Sequence, residues 1–483
     1  MSNLRDKYQV VIGLEVHAQL STNTKAYCSD STVYGSSPNT QTSPISLGHP
    51  GTLPVSNAKV VEYAVKMGIA CYSEIRERNE YARKNYFYAD LPKGYQITQD
   101  TTPICNGGYI VIKKEDGSVK KIGVTRIHME EDAGKSIHDQ DPFNTLIDLN
   151  RAGVALIEIV SEPDLRSSDE AYKYLLEVRR LVRYLDICDG NLEEGSLRCD
   201  ANISIMHKGS DTFGNRVEVK NMNSLRNVKR AIEHEIDRQI EIVENGGEVE
   251  QQTRSFNASD GNTILMRSKE NANDYRYFPD PDLQPVIVTK EYVARVKETL
   301  SPLPNELFEK FTNTFGLSEY DTNVLIEDKE IALYFNKLCS YTKNYKAAAN
   351  FVTGSIKSYL NENAINISNF SINEERMAAL IDLVDDGKVS NSIATQKVFI
   401  NMLNNEDSPE MIAKANNWIQ ESNNIALQEW IDSAVAKYPE KVTEYKEGKK
   451  GLIGLFMGEV MKLSKGKADP KLANQLVREA LEK

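Results

Sequence analysis

A carboxylate, an imidazole and an amide alternate with aliphatic residues in VVIGLEVHAQ. Val10, Ile12, Leu14 and Val16 share one face of a strand, which leaves Glu15, His17 and Gln19 on the other. Residues two apart on a strand lie roughly 6 to 7 Å apart at the backbone, so Glu15 and His17 can converge on one cation. Four more segments alternate in this way. In VTRIHMEEDAGK, Met129 and Glu131 face one side and His128, Glu130 and Asp132 the other, while ALIEIVSEPD sets Glu158 in an otherwise aliphatic strand. LRCDANISIM alternates Leu197, Cys199, Ala201, Ile203 and Ile205 with Arg198, Asp200, Asn202 and Ser204, and RVEVKNMNS puts Arg216, Glu218 and Lys220 opposite Val217 and Val219. Two readings are open. One is the wetted face of an antiparallel sheet. The other is a platform where acids hold a divalent metal and Arg and Lys hold phosphate oxygens. A carboxylate cluster repels ATP unless Mg2+ bridges the two.

The elements that must position such faces set the scale of the molecule. At about 100 to 200 residues per domain, 483 residues make two to four domains, and 40% hydrophobic with 27% charged residues exclude wholesale disorder. The opening MSNLRDKYQVVIGLEV lacks the apolar run of a secretion signal, and no stretch approaches the roughly 20 apolar residues of a membrane span, so a soluble cytoplasmic protein is expected. Six cysteines without a CxxC (28, 71, 105, 188, 199 and 339) read as scattered thiols. The net charge, 58 − 70 = −12, excludes a general nucleic-acid coat and any DNA-binding reading, so RNA contact must be local. The signatures GxxxxGK[ST], GxGxxG after a strand, HExxH and GxSxG are absent, and His234 with Glu235 sits on a packing helix.

Residues 1–297 read as an α+β domain with an antiparallel sheet, 298–407 as an all-α domain opened by Pro302 and Pro304, and 408–483 as a small all-α tail beyond a turn at NNEDSPE. Two helices are plain in the first domain. Ser167 with Glu170 forms a capping box ahead of the stripe Ala171, Tyr174, Leu175, Val178, Leu181, Val182 and Leu185. Ser224 opens a second helix that buries Leu225, Val228, Ile232, Ile236, Ile240 and Val243 and stops at Gly246 and Gly247.

The segments IGLEVHAQL, PNTQTSP, LGHPGTLPV, KNYFYADLPKGYQITQ, HMEEDAGK, DLNRAGVALIEIVSEPD, GSLRCDANIS, VEVKNMNS and DYRYFPDPDL, in this order, with the tail GLFMGEVMKLSKGKADPKLANQLV, closely resemble the B subunits of the glutamyl/aspartyl-tRNA amidotransferases over essentially the whole chain. The resemblance implies a heterotrimer in which a glutaminase subunit supplies ammonia and a small third subunit bridges the other two. The chain of this type would use ATP and Mg2+ to phosphorylate the side-chain carboxylate of Glu-tRNA(Gln) or Asp-tRNA(Asn), and ammonia would displace the phosphate. The resemblance also implies a catalytic sheet of the glutamine synthetase and guanidino-kinase type. By motif, Glu15, His17, Glu131, Glu158 and Glu218 become metal candidates, with His17 either a direct ligand or the holder of a bound water. Arg151, Arg198 and Lys220 become phosphate partners, followed by Lys93, Arg267, Lys269 and Arg276. Tyr275, Tyr277 and Phe278 read as an aromatic core cluster, with base stacking as the competing role. A non-catalytic tRNA-binding scaffold is the competing function, and the intact acidic motifs favour the enzyme.

One departure from the family pattern is local. Many members carry CxC and CxxC pairs where this chain has Cys28, Asp30, Ser43 and Ser46, and one thiol cannot hold zinc, so no zinc is expected and the loop must be held by its own turns. The tail is distinct in charge: residues 441–483 hold ten Lys and Arg against six Asp and Glu, a net of +4. Gly454 and Gly458 leave one helix face bare, Lys462, Lys465, Lys467 and Lys471 cluster after it, and Asp469 with Pro470 opens a last helix. A solvated helical hairpin is the plain reading of that pattern. With the resemblance, the lysines become the tRNA-binding candidates.

Overall fold

All five alternating segments are strands, and they are neighbours in one sheet. The computed structural model describes residues 2–114, 116–268, 275–419, 424–464, 468 and 470–482, and it divides into two units, Met1–Leu303 and Pro304–Lys483. The first unit is built on a ten-stranded sheet of β1 (Tyr8–Gln19), β2 (Glu74–Ile75), β3 (Cys105–Asn106), β4 (Tyr109–Lys113), β5 (Val119–Glu131), β6 (Ala155–Ser161), β7 (Leu197–His207), β8 (Val217–Lys220), β9 (Gln252–Phe256) and β10 (Thr263–Ser268). The spatial order is β10-β9-β8-β7-β1-β6-β5-β3-β2, with β4 also on β5; every pairing is antiparallel except β8 with β9.

Register carries the alternation across the strands. Met129, Ile157, Ala18 and Leu197 form one apolar row, and Ile127, Ile159, Val16 and Cys199 the next, all buried. That face joins a core shared with three helices: α1 (Ala58–Ala70), α2 (Ser168–Tyr184) and α3 (Leu225–Glu244). The two expected helices start where their caps placed them, with Ser167 accepting from Glu170 N at 3.1 Å and Ser224 from Asn227 N at 3.1 Å. Helix α1 was not foreseen. Its Asn57 cap accepts from Lys59 N at 2.9 Å. Glu235, on α3, is buried and bidentate to Arg238 at 2.7 and 2.9 Å, so it fastens the helix and has no ligand role.

The described residues of the second unit are helical, with no strand among them. Ser408 caps the helix Pro409–Ala415, whose Pro409, Ile412 and Ala413 are buried and which contacts the helix Glu374–Asp385. A separate small core of Leu427, Ile431, Tyr445, Phe456, Val460, Val477 and Leu481 joins the last helices. No helix among the described residues is long and apolar enough to cross a membrane.

Candidate active site

The face of the sheet opposite the helices carries the charged residues in three rows. His128, Glu158, His17 and Arg198 lie across β5, β6, β1 and β7; Glu15 and Asp200 form the next pair; Gly13, Asn202, Glu218, Thr253 and Arg267 follow. This geometry gathers two groups of potential metal ligands, each with its donor atoms within 4.8 Å of one another: His17, Glu130 and Glu158, and Glu15, Asp200 and Glu218. Of the expected metal residues, Glu15, His17, Glu158 and Glu218 are therefore brought to one face, divided between two clusters. Glu131 is not among them. It shares the parity of Met129 and turns to the opposite side, where Lys93 pairs with it and Ile97 N donates to its Oε1 at 2.8 Å. Glu130, one residue earlier, stands with His17 and Glu158 on the charged face. Strand alternation already contained this, since Glu130 shares a face with His128.

Electrostatics binds each cluster. His128 Nε2 lies 3.1 Å from Glu158 Oε2, and His17 Nε2 lies 3.4 Å from the same oxygen. Burial pushes Glu158 up, but His128 and His17 outweigh it and hold the carboxyl well below its usual range. Burial likewise lowers His128, and the charges of Glu158 and Glu130 overcome this and raise it to about 9. Glu15 is raised, first by burial and then by the charges of Glu158, Glu218 and Asp200, while Lys220 acts against them. Asn202 Nδ2 donates to Glu15 Oε1 at 2.9 Å, and Thr253 Oγ1 to Glu218 Oε2 at 2.9 Å. Lys220 pairs with Asp200 and reaches Glu218 Oε1 at 3.0 Å. Asp200, absent from the expected set, is the register partner of Glu15.

The basic residues rim the acids. Arg198 Nη2 donates to Asp132 Oδ2 at 2.7 Å; Arg151 donates to the carbonyls of Ala133 and Gly134 at 2.9 and 2.6 Å. Lys84, not foreseen, stands 3.6 Å from Glu130. A cleft of about 710 Å³ takes in His17, Lys84, Arg151, Arg198 and Lys220, and a second of about 380 Å³ takes in Glu15, Glu158, Glu218 and Arg267; they share His17, Lys84, Asp200 and Lys220. The expected phosphate partners Arg151, Arg198, Lys220 and Arg267 thus border one groove, whereas Lys93 lines a separate pocket with Glu131. Arg276 is exposed with φ 46°, and Lys269 lies outside the described residues. Tyr275 and Tyr277 line the groove edge to face, and Tyr277 is 41% exposed, so they are a wall of the site and not a buried core.

The four positions of the departing loop also meet. Ser46 Oγ donates to Asp30 Oδ2 at 2.6 Å, Ser43 N donates to Ser46 Oγ at 3.0 Å, and the fully buried Lys25 ammonium stands 3.8 Å from Asp30. Burial pushes the Cys28 thiol up, so it stays protonated beside them. In the tail, Lys462 is exposed, and a Cβ at Gly454 or Gly458 would meet nothing within 4 Å. The last helix starts at Pro470 and includes Lys471, whereas Lys465, Lys467 and Asp469 lie outside the described residues.

The site is that of an α+β protein with paired carboxylate clusters and a basic rim on an open sheet face, the donor types that suit a metal-bound anion. Residues 10–294 match the family model for the GatB/GatE catalytic domain and residues 333–481 that for the GatB domain. The B subunit of the Aspartyl/glutamyl-tRNA(Asn/Gln) amidotransferase of Geobacter sulfurreducens is 49% identical over 477 residues, 98% of this chain and 99% of that protein. The protein of the same name from Caldicellulosiruptor bescii is 46% identical over 480 residues, covering 99% and 100%. The chain belongs to the GatB/GatE family, as the B subunit of an aminoacyl-tRNA amidotransferase.

Proposed function

We propose that this chain is the ATP-using subunit of a tRNA-dependent amidotransferase of the cytoplasm. It works with a glutaminase subunit and a small bridging subunit on glutamate or aspartate esterified to tRNA(Gln) or tRNA(Asn). The observation that carries this is the pair of carboxylate clusters set side by side within a basic rim. The donor set fits Mg2+: it is mostly hard oxygen, and Glu130 Oε2 is buried without a hydrogen-bond partner, with His128 Nε2 at 3.5 Å. Mg2+ held here supplies the charge neutralisation that lets triphosphate oxygens approach the acids. Glu15, Glu130, Glu158, Asp200 and Glu218, with His17, would hold the ion.

The chain's own residues do the rest. Asp132 pins the Arg198 guanidinium, and the Ala133 and Gly134 carbonyls fix Arg151, so both cations are oriented before an anion arrives. Lys220, between Asp200 and Glu218, is placed to follow charge as the bridging oxygen leaves. The substrate carboxylate oxygen bonds to the γ-phosphorus, the bond to ADP breaks, and an acyl phosphate results. Ammonia then bonds to the acyl carbon, phosphate departs, and the nitrogen loses a proton to give the amide. This sheet-borne kinase chemistry is of the glutamine synthetase and guanidino-kinase type, and the tail lysines Lys462, Lys465, Lys467 and Lys471 are the tRNA contacts. The test is to reconstitute the trimer and follow amide formation on each misacylated tRNA with ATP and glutamine. Absence of ATP-dependent amide on both tRNAs sinks the reading.

A further inference from the structure

The open face of the sheet continues past the carboxylate clusters to its last strand, β10. Glu15 stands opposite Asp200, whose carboxylate pairs with Lys220; Lys220 stands opposite Ser255, and Ser255 opposite Ile264. In the neighbouring row Glu218 stands opposite Thr253, and Thr253 opposite Arg267. Three strand spacings separate β7 from β10, roughly 14 Å of sheet. The lane changes in kind along its length. It is acidic at the clusters, neutral at Ser255 and Thr253, and ends on an aliphatic side chain and a guanidinium. Ile264 and Arg267, three residues apart, share this face because the register shifts between Thr253 and Arg254, leaving Met266 as the extra residue of a bulge. Ile264, Leu265 and Met266 are 57%, 50% and 56% exposed, three consecutive large apolar side chains that the fold leaves to solvent.

Arg267 is exposed, with its Nε 3.5 Å from Thr253 Oγ1, and it has no ion-pair partner among the described residues, whereas Arg198 and Lys220 are committed to Asp132, Asp200 and Glu218. Tyr277 lines the same cleft as Arg267. Apolar and aromatic surface beside an uncommitted cation is what unpaired nucleotides bind, bases on the first and phosphate on the second. We propose that this lane seats the unpaired 3′ end of the tRNA, with Ile264 against a base and Arg267 on a phosphate. The esterified amino acid then points along Ser255 and Lys220 to the clusters. The inference rests on the phosphoryl-transfer reading and adds the path by which its substrate arrives. A protein strand added to β10 would cover the exposed edge equally well. It would leave unused the two rows that lead from that edge to the reacting centre, and only the substrate has to reach that centre.

The test uses the assembled amidotransferase with full-length chains carrying Ile264→Glu, which sets a like charge against phosphate, or Leu265→Glu. Leu265 stands opposite Arg254 on the other face of the same strand, so it shares the edge but not the lane. Ile264→Ala, which only trims an exposed side chain, keeps the test valid should the charged variant not fold. Filter binding would measure deacylated tRNA with its 3′ end intact and with the unpaired nucleotides removed, and gel filtration would follow the subunits. Ile264→Glu is expected to weaken intact tRNA by about tenfold, the loss of one base contact, and Ile264→Ala by less. Both leave the shortened tRNA within about twofold of wild type, and Leu265→Glu leaves both RNAs unchanged. Unchanged binding of intact tRNA by Ile264→Glu overturns the proposal, and so does an equal loss for the intact and shortened RNAs. Release of another subunit by Ile264→Glu and Leu265→Glu alike would make the strand a protein interface and overturn it too. Amide formation by the wild-type assembly, run on the same preparation, tests the parent reading independently.

Discussion

Glu130 and Glu131 are adjacent in sequence and opposite in surroundings, which separates two kinds of charge on one strand. Glu130 joins His17 and Glu158 in a cluster of potential metal donors, while Glu131 pairs with Lys93 and accepts from the backbone of Ile97. Glu15→Gln is expected to weaken Mg2+ binding and lower amide formation on the order of a hundredfold or more, since one charged oxygen leaves a charge-balancing site. Titration calorimetry and the amidation assay measure both. Glu131→Gln is expected to act differently. It leaves a nearly buried ammonium without its counter-charge, a loss of about 3 kcal/mol, and should show in urea unfolding while Mg2+ affinity stays within about twofold of wild type. A matching loss of Mg2+ affinity in this variant would return Glu131 to the metal face.

At the scale of elements, period-2 alternation was enough to place all five charged strands, and caps with an apolar stripe both helices, because each strand turns its aliphatic residues to the helices and its charged residues to the other face. It was not enough to choose partners between strands. Asp200 meets Glu15 through the register of β1 with β7, and Lys84 reaches Glu130 from a separate three-stranded sheet; neither relation has a signal in local spacing. The loop from Cys28 to Ser46 was legible as short of thiols, but its replacement was not, since the Lys25–Asp30–Ser46 network joins Ser46 to Asp30, 16 positions away, by a hydrogen bond and Asp30 to Lys25 by an ion pair. This network predicts no stoichiometric zinc in the chelator-washed protein, measured by elemental analysis. It also predicts that Ser46→Ala, which removes a hydroxyl donor from a buried carboxylate, costs about 2 kcal/mol in equilibrium unfolding. One tightly held zinc per chain, or an unchanged unfolding midpoint, would show that the loop is held by other means.

At the scale of the molecule, charge is distributed unevenly: −12 overall and +4 over residues 441–483, ten basic against six acidic residues. The aminoacyl end offers a site on the first unit only a small moiety, so most of the affinity for a large RNA must come from contacts to its body. The small core around Phe456 and Val477 includes no residue of the Pro409–Ala415 helix, which contacts the helix Glu374–Asp385 instead. A truncation that respects this packing ends at residue 419, beyond that helix, and not at the turn before it. We expect the truncated chain to keep its cooperative unfolding and its association with the glutaminase and small bridging subunits while losing most of its tRNA affinity. Neutralising Lys462, Lys465 and Lys467 together in the full-length chain should lower the slope of log K against log salt, by about 0.7 to 0.9 for each phosphate contact removed. Lys462 is exposed beside the open face left by Gly454 and Gly458, which allows close approach of a phosphate backbone. Filter binding over a salt series, on the full-length, truncated and triply neutralised trimers, measures both effects. Equal affinity and equal slope across the three would make the tail a solvated helical hairpin and move the RNA-binding surface elsewhere on the complex.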